Sequence, residues 1–238
     1  MATEPLADVT AETVTYGKVG DTDVNGYHAY PTEGPEGGLP GVIMIHEWWG
    51  LNDNIKTTAR RLAGEGYRVL AVDLYMGEVA TTRDEAMQLM GGATSNEDGT
   101  AANLRAANHY LRGEHGASKV GVMGWCFGGG QSLNAALLMP DHLDAAIIYY
   151  GRLSTDRDAL ANLSMPVLGF FGSEDGGIPV DRVRAFESTL NELEKNVEVH
   201  IYEGAGHAFA NPSGQDYQEA AATDSWAKTL AFLKETLG

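Results

Sequence analysis

The chain has 238 residues, 43% hydrophobic and 21% charged, with 33 Asp and Glu against 16 Lys and Arg for a formal charge of −17. That length and composition suit one domain with a true core and exclude disordered, collagenous or disulfide-stapled chains. The acidic balance makes nucleic acid a poor partner, because a polyanion binds through a basic footprint. One cysteine, Cys126, permits no intramolecular disulfide.

The start, Met-Ala-Thr-Glu-Pro, has neither a basic n-region nor an apolar stretch behind it, so no signal peptide is expected. No apolar run nears the ~20 residues of a membrane span. The expectation is a cytoplasmic protein with no membrane or nucleic-acid partner, a monomer or small homo-oligomer. Its acidic surface fits either a solubility device or salt adaptation.

In chain order, Val14–Tyr16 and Val24–Tyr30 predict two strands joined by a turn at Gly20-Asp21, and Pro31–Gly41 reads as a loop. Val42–Ile45 is a buried-type strand. A helix follows at about Asp53–Ala63, with Ile55, Ala59 and Leu62 on one face. Next come a strand at Tyr67–Leu74 and a long helical region bearing Ala86, Leu89, Met90, Leu104 and Leu111. Val120–Gly124 predicts a strand and Phe127 to Leu138 a helix. Strands at Ala145–Tyr150 and Val167–Phe171 precede a helix at Asp181–Leu193. A last strand, Val197–Tyr202, leads to a C-terminal helix whose apolar face is Trp226, Leu230, Leu233 and Leu237. Short apolar strands alternating with amphipathic helices indicate an α/β class, a mostly parallel central sheet with helices on both faces. No repeat or linker divides it, so residues 1–238 read as a single domain.

In such a sheet, ligands and catalysts collect at the carboxyl ends of the strands. Gly124-Trp125-Cys126-Phe127-Gly128 falls at one of them, between a predicted strand and helix. It is the G-x-S-x-G nucleophile elbow with sulfur in place of oxygen. Glycines flank the apex because its backbone is strained and larger neighbours would collide with strand and helix. The helix N-terminus behind Cys126 favours a thiolate. A random lone cysteine is more often a small buried hydrophobe; the strand–turn–helix context and Gly128-Gly129-Gly130 favour the nucleophile here.

An elbow enzyme needs an acid and then a histidine further along the chain. Gly-rich loops after the strands ending at Phe171 and Tyr202 supply Asp175 and His207. His207 would act as base, with Asp175 fixing its tautomer. Glu174 is a weak rival to Asp175, and Glu203 reads as solvated. His28, His109, His115, His142 and His200 read as bland, and His46 is undecided.

The segment His46-Glu47-Trp48-Trp49-Gly50 ends the first central strand. The loop there contributes one oxyanion-hole N–H in this type of fold, and the residue after the nucleophile the other, which nominates Trp48 and Phe127. Trp48 and Trp49 either wall a pocket or pack under the loop. Glu47 is awkward beside an oxyanion hole and must be protonated or paired.

Taken together, His46–Gly50, Asp73-Leu74-Tyr75, the Cys126 elbow, Tyr149-Tyr150-Gly151, Gly172-x-x-Asp175-x-x-x-Pro179 and Gly206-His207-Ala208-Phe209 resemble the dienelactone hydrolase family of α/β-hydrolases. The resemblance runs from Val42 to the C-terminal helix. It implies an α/β-hydrolase fold, a Cys126–Asp175–His207 triad, an acyl-enzyme, no cofactor and no metal. It also implies that Glu47 contacts the resting thiol and helps activate it when substrate arrives. Two substrate-clamping arginines of the dienelactone-cleaving members fall here on Gly77 and Asn211, so both cations are missing; Arg83 is a doubtful substitute. A buried carboxylate without a cation is costly. The expected substrate is therefore a small neutral ester or lactone, in a pocket lined by Trp48, Trp49, Trp125, Phe127, Tyr75, Met76, Tyr150 and Asn211.

Three alternatives stand beside this. A broad carboxylesterase or thioesterase would share the same triad. A non-catalytic ligand-binding relative would have no need of all three residues. A redox-sensing thiol would want a resolving cysteine, and there is none.

Overall fold

The structure, a computed structural model, describes residues 8–33 and 38–238. Its eight strands form a mostly parallel sheet, and the chain divides into two compact units, one up to Gly121 and one from Val122.

In the first unit the strand order is β1-β2-β4-β3. Strand β1 (Val9–Val19) and β2 (Thr22–Pro31) form an antiparallel hairpin that turns at Gly20 with φ 59°. Both strands run longer than Val14–Tyr16 and Val24–Tyr30. Most of β1 is half-buried or exposed, so its outer residues carry no apolar alternation and are strand only because β2 pairs with them. Strand β2 is antiparallel to β4 (Arg68–Val72), which runs parallel to β3 (Gly41–Ile45). All five residues of β3 are buried, the signature of a strand covered on both faces.

Helix α1 (Asp53–Ala63) joins β3 to β4 and buries Ile55, Ala59 and Leu62. Its Asn52 N-cap accepts a hydrogen bond from the Ile55 N–H at 3.2 Å. The long helical region is two helices, α2 (Arg83–Ser95) and α3 (Glu97–His109), followed by a π-helical turn at Tyr110–Glu114. The break falls at Asn96, whose side chain turns back to accept from the Gly99 N–H and so starts α3 instead of continuing α2.

In the second unit, β5 (Val120–Trp125, whose first two residues fall in the first unit), β6 (Ala145–Tyr149), β7 (Val167–Gly172) and β8 (Val197–Tyr202) lie in that order. The pairs β6–β7 and β7–β8 are parallel. The intervening helices are α4 (Phe127–Leu138), α5 (Arg157–Leu160), α6 (Val180–Glu192) and the C-terminal α7 (Glu219–Thr236). The short α5 escapes periodicity, but Asp156 caps it by accepting from the Asp158 and Ala159 N–H groups. On α7, Trp226 and Leu233 are buried, while Leu230 is half-buried. Among the described residues, no helix is long and apolar enough to cross a membrane.

Candidate active site

Cys126 is the one residue between β5 and α4, held at φ 54° and ψ −116°, a costly conformation for a residue with a Cβ. Its N–H donates to the Tyr149 carbonyl at 3.0 Å, and its carbonyl accepts from the Gly130 N–H at 3.1 Å. Room for this turn depends on missing side chains. A Cβ at Gly124 would collide with the Gly128 carbonyl, and one at Gly129 would stand 2.5 Å from the Tyr149 oxygen. The half-buried Cys126 therefore caps the N-terminus of α4, where the helix dipole favours negative charge.

The loops after β7 and β8 are stitched together. Ser173 and Glu174 donate their N–H groups to the carbonyls of Tyr202 and Ala205, both at 2.9 Å, and the Ser173 hydroxyl accepts from the Gly204 N–H at 2.8 Å. This brings Asp175 to His207, with Asp175 Oδ2 2.7 Å from His207 Nδ1. The other carboxylate oxygen accepts from the Gly177 N–H at 2.8 Å and the Ile178 N–H at 3.1 Å. Glu174 and Glu203 are exposed. Cys126 lies near enough to His207 to act on its ring and raise its pKa. The ring of buried Tyr150 (φ 36°) lies 5.3 Å from that of His207 and 5.2 Å from that of Phe209.

The electrostatics follow from these contacts. Burial pushes His207 down, but its hydrogen bonds and charge interactions with Asp175 and Cys126 outweigh it and raise the pKa to about 10. For Asp175 burial acts upward, and His207 with the two backbone N–H groups overrides it, holding the carboxyl below its ordinary range. Each partner thus favours the charged form of the other.

In the first unit, the loops that leave the carboxyl ends of β3 and β4 carry another group of nominated residues. His46 is fully buried; its Nδ1 donates to the Glu47 carbonyl at 2.6 Å and its Nε2 accepts from the Leu74 N–H at 3.2 Å. Burial lowers its pKa, so it is a neutral strut whose tautomer is set by two backbone groups. Glu47 is 3% exposed. Trp48 and Trp49 are half-buried with ring centroids 5.0 Å apart, and the Trp49 carbonyl accepts from the Ala80 N–H at 2.9 Å. Buried Tyr75 packs its ring 4.6 Å from His46. Met76 is half exposed.

The other nominated residues are placed differently. Trp125 and Phe127 are buried, with the Trp125 ring 5.3 Å from Tyr149. Asn211 shapes its own loop, its Oδ1 accepting from the Ser213 N–H at 2.9 Å. His28 is buried between Arg68 at 3.1 Å and Tyr110 at 3.0 Å, and burial together with Arg68 pushes its pKa down to about 3. Periodicity missed Asn103, which accepts from the Tyr16 hydroxyl at 2.5 Å and donates to the Asp73 carbonyl at 3.0 Å. Its signal was a polar residue on the buried stripe of a helix. Among the described residues, no group of three or more His, Cys, Asp or Glu side chains is gathered as a metal site.

A mostly parallel sheet with a strained strand-to-helix elbow, and with the Asp175 and His207 loops following its strands β7 and β8, defines an α/β-hydrolase. The chain belongs to the dienelactone hydrolase family, whose model matches residues 24–237, and it is a carboxylic ester hydrolase. It is 36% identical to "Protein usf" of Aquifex pyrophilus, covering 90% of this chain and 94% of that one. To a protein of Saccharolobus solfataricus named "Putative carboxymethylenebutenolidase" it is 32% identical, over 84% of this chain and 91% of the other. Among solved structures it is similar to a dienelactone hydrolase-like promiscuous phosphotriesterase from metagenomic libraries, with a TM-score of 0.87, 26% identity and coverage of 97% and 99% of the two chains.

Proposed function

We propose that the chain hydrolyses small neutral esters or lactones through Cys126, His207 and Asp175 by way of an acyl-enzyme. The observation that carries this reading is the Asp175–His207 hydrogen bond, with Cys126 acting on the same imidazole from a strained apex at a helix N-terminus. In the first step the Cys126 sulfur attacks the ester carbonyl, and the new oxyanion is held by the N–H groups of Phe127 and Trp48. The imidazolium of His207 gives its proton to the departing alkoxide as the C–O bond breaks, leaving a thioester. In the second step neutral His207 takes a proton from water, the hydroxide adds to the thioester, and the acid leaves as the thiolate returns. Asp175 keeps the imidazole oriented and balances its charge. Glu47 is the carboxyl assigned to the resting thiol, and its burial supports a role in the site over a place on the solvated surface.

The preference for neutral substrates rests on Gly77 and Asn211, neither of which supplies a cation. A rapid acid quench after mixing with a p-nitrophenyl ester, read by mass spectrometry, tests the reading. The expected result is one acyl group on the peptide bearing Cys126; full turnover by Cys126→Ala would overturn it.

A further inference from the structure

Asparagine, aspartate, serine and threonine ordinarily precede a helix, because their short side chains accept a hydrogen bond from its first turn. Helix α7 begins instead after Gln218, whose side chain makes no such bond. It turns away from the helix, and its Nε2 donates to the Gly204 carbonyl at 2.6 Å. The Gln218 N–H donates to the Phe209 carbonyl at 2.9 Å, and its own carbonyl accepts from the Ala222 N–H at 2.9 Å. One residue therefore holds both ends of Gly204-Ala-Gly-His207-Ala-Phe209 and ties that loop to an 18-residue helix. A local rule broken in this way marks a position that serves something beyond its own helix.

The loop between those ends is strained. Gly204 and Ala208 lie in the left-handed region, at φ 71° and 62°, and Ala208 directly follows His207. A residue with a Cβ persists there only where its surroundings over-determine it. The far end is anchored by its side chain, since Phe209 is fully buried with its ring 5.2 Å from that of Tyr150 and 5.1 Å from that of Tyr202. The near end is held through backbone alone. The Gly204 N–H donates to the Ser173 hydroxyl at 2.8 Å, and its carbonyl takes the Gln218 amide. Ser173 stands two residues before Asp175, so the Asp175 loop, the His207 loop and α7 meet at Gly204, all within the unit that begins at Val122. We propose that Gln218 is a positioning residue for the base: its amide holds the Gly204 end so that His207 Nδ1 stays at hydrogen-bond distance from Asp175. This rests on the reading of His207 given above. Gln218 grips loop backbone, so it acts through His207 and not on the substrate.

Gln218→Asn separates this role from a merely structural one. Asparagine is a good N-cap but is one methylene too short to keep the reach to Gly204, so the variant should melt at or above the wild-type temperature. Its kcat for p-nitrophenyl acetate should nevertheless fall by about 10- to 100-fold, with KM within about twofold, the scale of loss from a small misplacement of a reacting group. The His207 Nδ1 proton, shifted downfield in the wild type by its bond to Asp175, should move upfield or be lost to exchange with water. Gln218→Met, of similar length but without a donor, should show the same losses of rate and resonance. A kcat within about twofold of wild type in Gln218→Asn, or a fall in kcat with the Nδ1 resonance unmoved, overturns the proposal. So does a melting temperature that drops in step with the rate in both variants. Full turnover by Cys126→Ala would instead overturn the reaction, and the Nδ1 resonance would still report whether Gln218 holds the imidazole.

Discussion

Asp175 meets His207 with one carboxylate oxygen and the backbone N–H groups of Gly177 and Ile178 with the other, so neither oxygen can turn away from its task. An asparagine could keep the backbone contacts only by presenting its amide NH₂ to the imidazole, which reverses the tautomer that points a useful nitrogen at Cys126. Asp175→Asn should therefore lower kcat by about 10³- to 10⁴-fold with little change in the folded structure. Steady-state kinetics beside a circular-dichroism melt would check both halves; a loss under tenfold would count against the assignment.

Protonation of His207 should leave a mark on stability. Its folded pKa of about 10 stands above the ordinary 6.5, so the contribution is complete below pH 6.5 and disappears as pH rises through 10. The side chain is 39% exposed, so water screens part of the effect. Urea midpoints should fall between pH 6.5 and 10 in the wild type, and more steeply than in His207→Gln, whose difference curve isolates this group from other titrating residues. Cys126→Ser should lower the His207 pKa measured by NMR, because the sulfur is one of the groups that raises it.

The elbow tolerates no added methyl. Gly124→Ala would press a Cβ onto the Gly128 backbone, a contact that no side-chain rotation relieves. A loss of about 3 kcal/mol in chemical denaturation is expected. Gly91→Ala, where nothing lies within 4 Å, is the matched control and should be neutral or mildly stabilising.

Asn103 joins β1 to the loop after β4. Asn103→Ala would strand both the Tyr16 hydroxyl and the Asp73 carbonyl in the interior, at a cost of about 2 kcal/mol. Adding Tyr16→Phe should recover part of that loss, and a double-mutant cycle would measure the coupling.

If the proposed preference for neutral substrates rests on the lack of a cation near Gly77, an arginine there should favour anionic ones. Gly77 is a poor site for it, because φ 98° strains any L side chain, whereas Met76 already accepts the left-handed backbone. Met76→Arg should raise the ratio of kcat/KM for a carboxylated ester over a neutral one by about tenfold, the low end for a charge-assisted contact at a half-exposed position. A parallel assay of the two esters decides it.

Much of the architecture was legible because apolar runs and helical periodicity report burial directly. The bounds of α1, α4 and β8 emerge from pattern alone. The outer part of β1 does not, since backbone pairing and not side-chain burial makes it a strand. The division at Asn96 was hidden because the apolar stripe continues past it, and only the cap geometry reveals the new start. Chain order could nominate Asp175 and His207 but could not say which carboxylate faces the imidazole; Asp175 and Glu174 differ by one residue in sequence and by full burial in space. His46 was undecidable for a related reason, because its partners are backbone groups that carry no sequence signal.

Cys126, Asp175 and His207 all belong to the unit that begins at Val122, whereas the turn of Met76 and the tryptophan pair belong to the unit before it. The nucleophile, acid and base of the proposed reaction are thus encoded in one stretch of the chain, while Glu47 and Trp48, which the same proposal calls on, are encoded in the other, so a change in either half can reach the reaction.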